Sequence, residues 1–259
     1  MTNLFRLSPA ILLPVVITVT SCSQPSTNQV EDLSEKPSET SEVVEKDQDQ
    51  SDVDYLTTLG LMKGHLMVAQ ELIESGKPEE AEPHIGHPVE ELYGDIESEL
   101  PQRKVADFKS ELNQFHDLVK TAPKSDKIKT EYDSSMVTID QAIAAIPETK
   151  LQSPELILPV LNRLLETANA EYKAAIADGK IVELIEYQDS RGFVLYGDQL
   201  YQSIAQTMSQ NHQEKHQVIT ATLEELKTAW PSVNAPKALV MTPEQVSELV
   251  MKIQKNSQL

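Results

Sequence analysis

Cysteine occurs once in 259 residues, glycine eight times, and aromatic residues make up 5% of the chain. A single cysteine excludes a disulfide framework and any four-cysteine zinc or iron–sulfur site. So few glycines disfavour a turn-rich all-β fold. Basic residues are also scarce, 22 Lys+Arg against 41 Asp+Glu, for a formal charge of −19. An acidic chain of this kind is a poor ligand for phosphate backbones, so no nucleic-acid partner is expected. There is no P-loop, dinucleotide fingerprint, nucleophile elbow or HExxH motif, and no catalytic residues are assigned. An enzyme is therefore not expected. No stretch reaches the 18 consecutive apolar residues of a spanning helix.

What is present begins with an address. Arg6 carries the only charge of a short leader, followed by the mostly apolar Leu7–Thr20. As a helix that segment reaches roughly 21 Å, short of the roughly 30 Å hydrocarbon core, and it fits a signal peptide over residues 1–21. Val19-Thr20-Ser21-Cys22 then resembles the lipobox of bacterial lipoproteins. The resemblance implies cleavage before Cys22, lipidation of its sulfur and anchoring by several acyl chains. The only cysteine stands where a lipoprotein needs one. The expected location is the bacterial cell envelope, facing the periplasm or the outside, with the membrane as partner through the lipid anchor. Ser23 at the next position, in place of Asp, favours the outer membrane.

Residues 22–52 follow as the lipidated cysteine and an acidic tether. The segment carries Glu31, Asp32, Glu35, Glu39, Glu42, Glu45, Asp47, Asp49 and Asp52 against Lys36 and Lys46, with almost no large apolar side chains. Such a composition cannot offset its ordering entropy and is expected to be disordered.

From residue 53 to 259 the apolar period is helical. Tyr55, Leu59, Met62, Leu66, Ala69 and Ile73 recur at three and four, as do Val105, Phe108, Leu112, Phe115 and Val119. Ser153-Pro154-Glu155 reads as an N-cap and first turn, although Pro159 is awkward five residues on. Thr242-Pro243-Glu244-Gln245 reads as a capping box. Asp178-Gly179 is a break before another helical stretch from Ile181 to about Met208. The expectation is an all-α, up-and-down bundle of about seven or eight helices behind a disordered N-terminal tether. Pro147–Pro154 divides the body into halves 53–147 and 153–259.

Three places carry candidate chemistry. The first is Glu82-Pro83-His84-Ile85-Gly86-His87-Pro88-Val89-Glu90-Glu91-Leu92-Tyr93, read as a loop between helices. His84 and His87 converge if Gly86 lets the chain turn, and a helix beginning at Pro88 sets Glu91 on the side of His87. Imidazole plus carboxylate suits zinc, iron(II), manganese or copper(II). The same residues also make a good helix start, since carboxylates favour the positive end of the dipole. The second is His65, on the line Leu61, His65, Val68, Leu72, either a fourth ligand or a hydrogen-bonded core residue. The third is a polar cluster of Glu186, Asp189 and Arg191. The stripe from Ile181 and Ile185 lands on Asp189 and Gly192, and a carboxylate on an apolar stripe breaks the local pattern. A buried network between helices, with Gly192 allowing a close crossing, explains it equally. His116, His212 and His216 fall on polar or mixed faces and are expected at the surface.

The envelope address, the helical body and His87-Pro88-Val89-Glu90, which matches a His-x-x-Glu core, resemble imelysin-like helical periplasmic proteins. Some of these are linked to bacterial iron uptake. In that family a glycine precedes the histidine by two positions, whereas here Ile85 holds that place. Two functions stand beside each other. One is a lipid-anchored protein holding a divalent metal such as iron, zinc or copper for uptake or homeostasis, serving a metal-transport partner. The other is a structural or adaptor lipoprotein docking on an envelope protein through a helical face, with no metal.

Overall fold

The computed structural model describes the chain from residue 39 to 259, with side chains from residue 49 onward. The signal peptide, Cys22 and the tether up to residue 38 lie outside the described residues. The order is α1 (Glu39–Glu74), α2 (Pro78–His87), a π-helical turn (Pro88–Leu92), α3 (Tyr93–Ile96), α4 (Lys109–Thr121), α5 (Ile128–Ile143), α6 (Glu148–Leu151) and α7 (Pro154–Ala174), then a two-stranded hairpin (Ile176–Ala177 with Lys180–Ile181), α8 (Leu184–Gln202), α9 (Ala205–Asn211), α10 (Gln213–Lys227) and α11 (Pro243–Asn256). Eight of these helices have ten residues or more among the described residues. The chain is an all-α, up-and-down bundle.

The boundaries follow local chemistry. Gly76, at φ 75°, ends α1, with Lys77 N bonded to Leu72 O and Gly76 N to Ile73 O, the paired bonds of a Schellman stop. Ser153 caps α7 by accepting from Leu156 N, and the helix runs on through the solvent-facing Pro159. Thr242 and Gln245 form both bonds of the capping box on α11. Asp178 and Gly179, both at positive φ, turn a short hairpin where only a break in the chain is expected.

Two boundaries and the burial of three histidines differ from the sequence reading. Helix α1 starts at Glu39, inside the segment expected to be a disordered tether. Its polar stretch extends a helix already nucleated by the apolar part, and propagation adds a bond for each residue ordered. Asp52 is then buried, paired to Arg103 Nη1 at 2.7 Å and to Lys150 Nζ at 2.9 Å. The loop expected over 82–93 is helix, beginning at Pro78 and not at Pro88. Pro88 has no N–H to donate, and its ring clashes with the carbonyl four residues back. The helix absorbs this by widening to a π turn, a distortion frequent at functional sites. His116 is buried, 7% exposed, because Gly86 leaves room for its ring; a Cβ at Gly86 would stand 3.1 Å from it. His212 and His216 are half-buried, the latter bonded to the Tyr201 hydroxyl at 2.9 Å.

Helix α1 is central, packing on α2, α5, α7 and α8. That is why Lys63 and His65 are buried along with its apolar stripe. Since α1 touches both halves of the body, the two share one core. In the second half, α7 packs on α8, α8 on α10, α10 on α11 and α11 back on α7, closing a four-helix ring.

Candidate metal centre

The centre lies where α1 crosses α8. At that crossing Gly64 and Gly192 meet backbone to backbone. A Cβ at Gly192 would stand 2.2 Å from the Gly64 carbonyl oxygen, so no side chain fits. The close approach brings the residue after Gly64 onto α8: His65 Nδ1 is 2.7 Å from Asp189 Oδ1. From the other side α2 delivers His84, whose Nδ1 is also 2.7 Å from that same oxygen. His65, His84 and Asp189 are all buried, and one ligand atom from each lies within 4.8 Å of the others. Donor gaps of 2.7 Å are close to the ~3 Å edge of an octahedron with bonds near 2.1 Å, so a small opening admits an ion.

His87 follows His84 by three residues and edges onto the centre. Its Nδ1 is 3.4 Å from Asp189 Oδ2 and its Nε2 is 3.9 Å from Glu91 Oε1. That Nδ1 is buried and makes no hydrogen bond among the described residues. The His65 and His87 rings meet edge to face at 4.9 Å, and Phe193 closes on His65 in the same way. A cleft of about 380 Å³ leads in from solvent, bordered by His87, Glu91, Glu171, Glu186, Asp189 and Phe193.

Electrostatics follow from burial and from the shared carboxylate. Burial works to raise the pKa of Asp189, but the charge of His65, the hydrogen bonds from His65 and His84 and the approach of His87 outweigh it and hold the carboxyl well below the usual range. His65 is held below an ordinary histidine, because burial penalises its charged form more than Asp189 favours it. His87 is raised, mainly by its approach to Asp189 and further by Glu91 and Glu90. Glu171 is raised by burial and by the nearby Asp189, Glu186 and Glu91 carboxylates. The centre is thus an ionised carboxylate among imidazoles, with more carboxylates at its mouth.

The structure therefore brings together His65, His84, His87 and Asp189, with Glu91 and Glu186 at the cleft. Arg191 is elsewhere: it pairs with Glu71 at 3.0 Å and donates to the Trp230 carbonyl at 2.7 Å. Glu90 also turns away, 4.0 Å from His116 Nδ1. Sequence reasoning missed Gln188, 1% exposed, whose Oε1 meets His84 Nε2 at 2.9 Å. The only local signal was a run of three polar residues, Gln188-Asp189-Ser190, on a helix that should be half apolar.

Residues 147–259 match the family described as the iron permease-associated 4-helix bundle domain. The matched stretch holds the four-helix ring of α7, α8, α10 and α11. The match supports a helical, metal-transport-related family. It includes Asp189, Gln188, Glu171 and Glu186, whereas His65, His84 and His87 lie before it, as does the His87–Glu90 motif that resembles imelysin-like proteins. No curated protein and no solved structure matches the chain.

Proposed function

We propose that this protein is a lipid-anchored component of the bacterial cell envelope that holds a divalent metal ion for uptake or homeostasis, and is not an enzyme. The ion sits between His65, His84 and Asp189, with His87 and Glu91 on the side of the cleft. One observation carries the reading: two buried imidazole nitrogens approach a single carboxylate oxygen, with no Lys or Arg among the partners. Nitrogen and carboxylate donors of this kind suit iron(II), zinc, manganese or copper(II). The family match over residues 147–259 supports a metal-transport setting and a transport protein as partner. Anchoring rests on the lipobox at Val19–Cys22.

The test is metal analysis of the full chain, purified in detergent without a polyhistidine tag, followed by calorimetric titration with Zn²⁺ and Fe²⁺. The unsubstituted protein is expected to bind an ion, and saturation at a hundredfold excess over Kd to stabilise it by about 2.7 kcal/mol. His65→Ala with His84→Ala should remove both effects. Equal titrations for the two proteins would overturn the reading. Fatty-acid labelling should disappear in Cys22→Ser, and persistent labelling would remove the anchor.

A second reading, an adaptor docking on an envelope protein through a helical face, has one observation in its favour. Val182, Leu184 and Ile185 are exposed just before and at the start of α8, where Ile185 borders the cleft. It takes the lead if no ion binds.

A further inference from the structure

A metal-ligating histidine needs one nitrogen free of hydrogen, and the group facing its other nitrogen decides which one that is. For His84 the decision is made by Gln188. The two ends of a glutamine amide are not equivalent: the NH₂ only donates and the carbonyl only accepts. Gln188 Nε2 donates to the backbone carbonyl of Val233 at 3.2 Å. A carbonyl oxygen cannot donate, so the amide is held with its oxygen turned away, toward His84. That oxygen lies 2.9 Å from His84 Nε2 and can only accept. His84 therefore carries hydrogen on Nε2. Its Nδ1 faces Asp189 Oδ1 at 2.7 Å, where two lone pairs would repel unless a proton or a cation lies between them.

The glutamine is itself fixed. It is 1% exposed, and its neighbours on α8 bind the same stretch of chain after α10. Trp230 Nε1 donates to Ser190 Oγ at 2.8 Å, and Arg191 Nη1 donates to the Trp230 carbonyl at 2.7 Å. One turn of α8 thus presents Asp189 to the centre while its flanking residues grip the segment Trp230–Val233.

We infer that Gln188 is a positioning residue of the metal centre: oriented by the Val233 carbonyl, its Oε1 holds His84 as the Nε2–H tautomer and presents Nδ1 to the ion. This rests on the metal reading above. It adds a determinant that touches no metal and a mechanical link from the centre to the α10–α11 connection.

The test uses the full chain in detergent with Co²⁺ as the probe, followed by its visible absorption, and Gln188→Met and Gln188→Glu as variants. Met keeps the volume and removes the acceptor; Glu keeps the acceptor. Gln188→Met is expected to weaken Co²⁺ binding by about 10- to 100-fold, the usual effect of losing the partner behind a ligating histidine. Gln188→Glu is expected to stay within a few-fold of the unsubstituted protein or to bind more tightly, a rescue that a purely packing role would not give. In the Zn²⁺-loaded, ¹⁵N-labelled protein, His84 should show its hydrogen on Nε2. That measurement needs no substitution, so it stands even where Gln188→Met does not fold. Unchanged Co²⁺ affinity in Gln188→Met, or His84 protonated on Nδ1, overturns the role of Gln188 while leaving the metal centre in place. Absence of Co²⁺ and Zn²⁺ binding by the unsubstituted protein overturns the metal centre and this role with it.

Discussion

Two histidine–carboxylate clusters lie on different faces of α2, and they are built in opposite ways. Between α1, α2 and α8, three imidazoles surround one carboxylate, Asp189, whose side chain is 5% exposed. Against α4, one imidazole, His116, meets two carboxylates: Glu82 at 2.7 Å and Glu90 at 4.0 Å, with side chains 32% and 64% exposed. Lys120 stands 3.8 Å from Glu82 as well. The second cluster has a cation, Lys120, built in and its carboxylates reach solvent, so it contributes little to stability. In the first, nitrogen lone pairs outnumber the carboxylate, and Asp189, His65 and His84 are buried. The residue types are nearly the same; stoichiometry and burial separate an ion pair from a candidate ligand set.

Removing the carboxylate from each cluster sharpens this contrast most. Asp189→Ala takes away the carboxylate shared by His65 Nδ1 and His84 Nδ1, and is expected to lower the unfolding free energy by about 3 kcal/mol and abolish divalent-ion binding. Glu82→Ala should lower it by less than about 1 kcal/mol. Denaturant titrations of both variants decide the matter, since equal losses would erase the distinction.

The geometry that makes the first cluster is open to a smaller test. Gly192→Ala places a methyl group against the Gly64 carbonyl, and overpacking of this kind costs about 1–3 kcal/mol. Helices α1 and α8 must separate, so Co²⁺ affinity should fall with the melting temperature. Gly94→Ala, where an added Cβ meets nothing within 4 Å, is the control and should be neutral or stabilising. Retained affinity in Gly192→Ala would mean that the close crossing does not position His65.

The smallest effect is in the pH dependence. His65 is depressed, so its contribution to stability is present above ~6.5 and is lost as pH falls below it. Asp189 is depressed too, and its contribution, present above ~3.9, is lost as pH falls below that value. His87 is raised, so its contribution is present below ~6.5 and is lost as pH rises through its folded value. The two windows meet at ~6.5, so the denaturation midpoint should be highest there and should decline on the alkaline side as the His87 contribution is lost. On acidification it should fall in two stages, and His65→Leu should remove the upper one. A midpoint that rises between pH 6.5 and 4 would contradict this assignment.

Much of the centre was visible before the fold. His65, His84, His87 and Glu91 were marked by residue type, and Asp189 by standing on an apolar stripe. The pattern did not reveal that Asp189 and the histidines are one cluster, because Asp189 lies more than a hundred residues along the chain from His65 and His84. Gln188 escaped for the same reason: its partner at Val233 reaches it only through the α10–α11 connection. His116 was assigned to the surface because its own helix offers no sign that α2 will present a glycine to it.

By itself the sequence determined what depends on neighbours along the chain. The three-and-four apolar spacing, the caps at Ser153 and Thr242 and the stop at Gly76 act within a few residues, and each came out as its local chemistry requires. Only the tertiary structure decided which polar residues are buried and what faces them. Helix α1 is packed by α2, α5, α7 and α8, Gly64 and Gly192 let two backbones touch, and α2 carries His84 and His87 to Asp189. Those outcomes depend on helices brought together from distant parts of the chain, and no periodicity within a single segment encodes them.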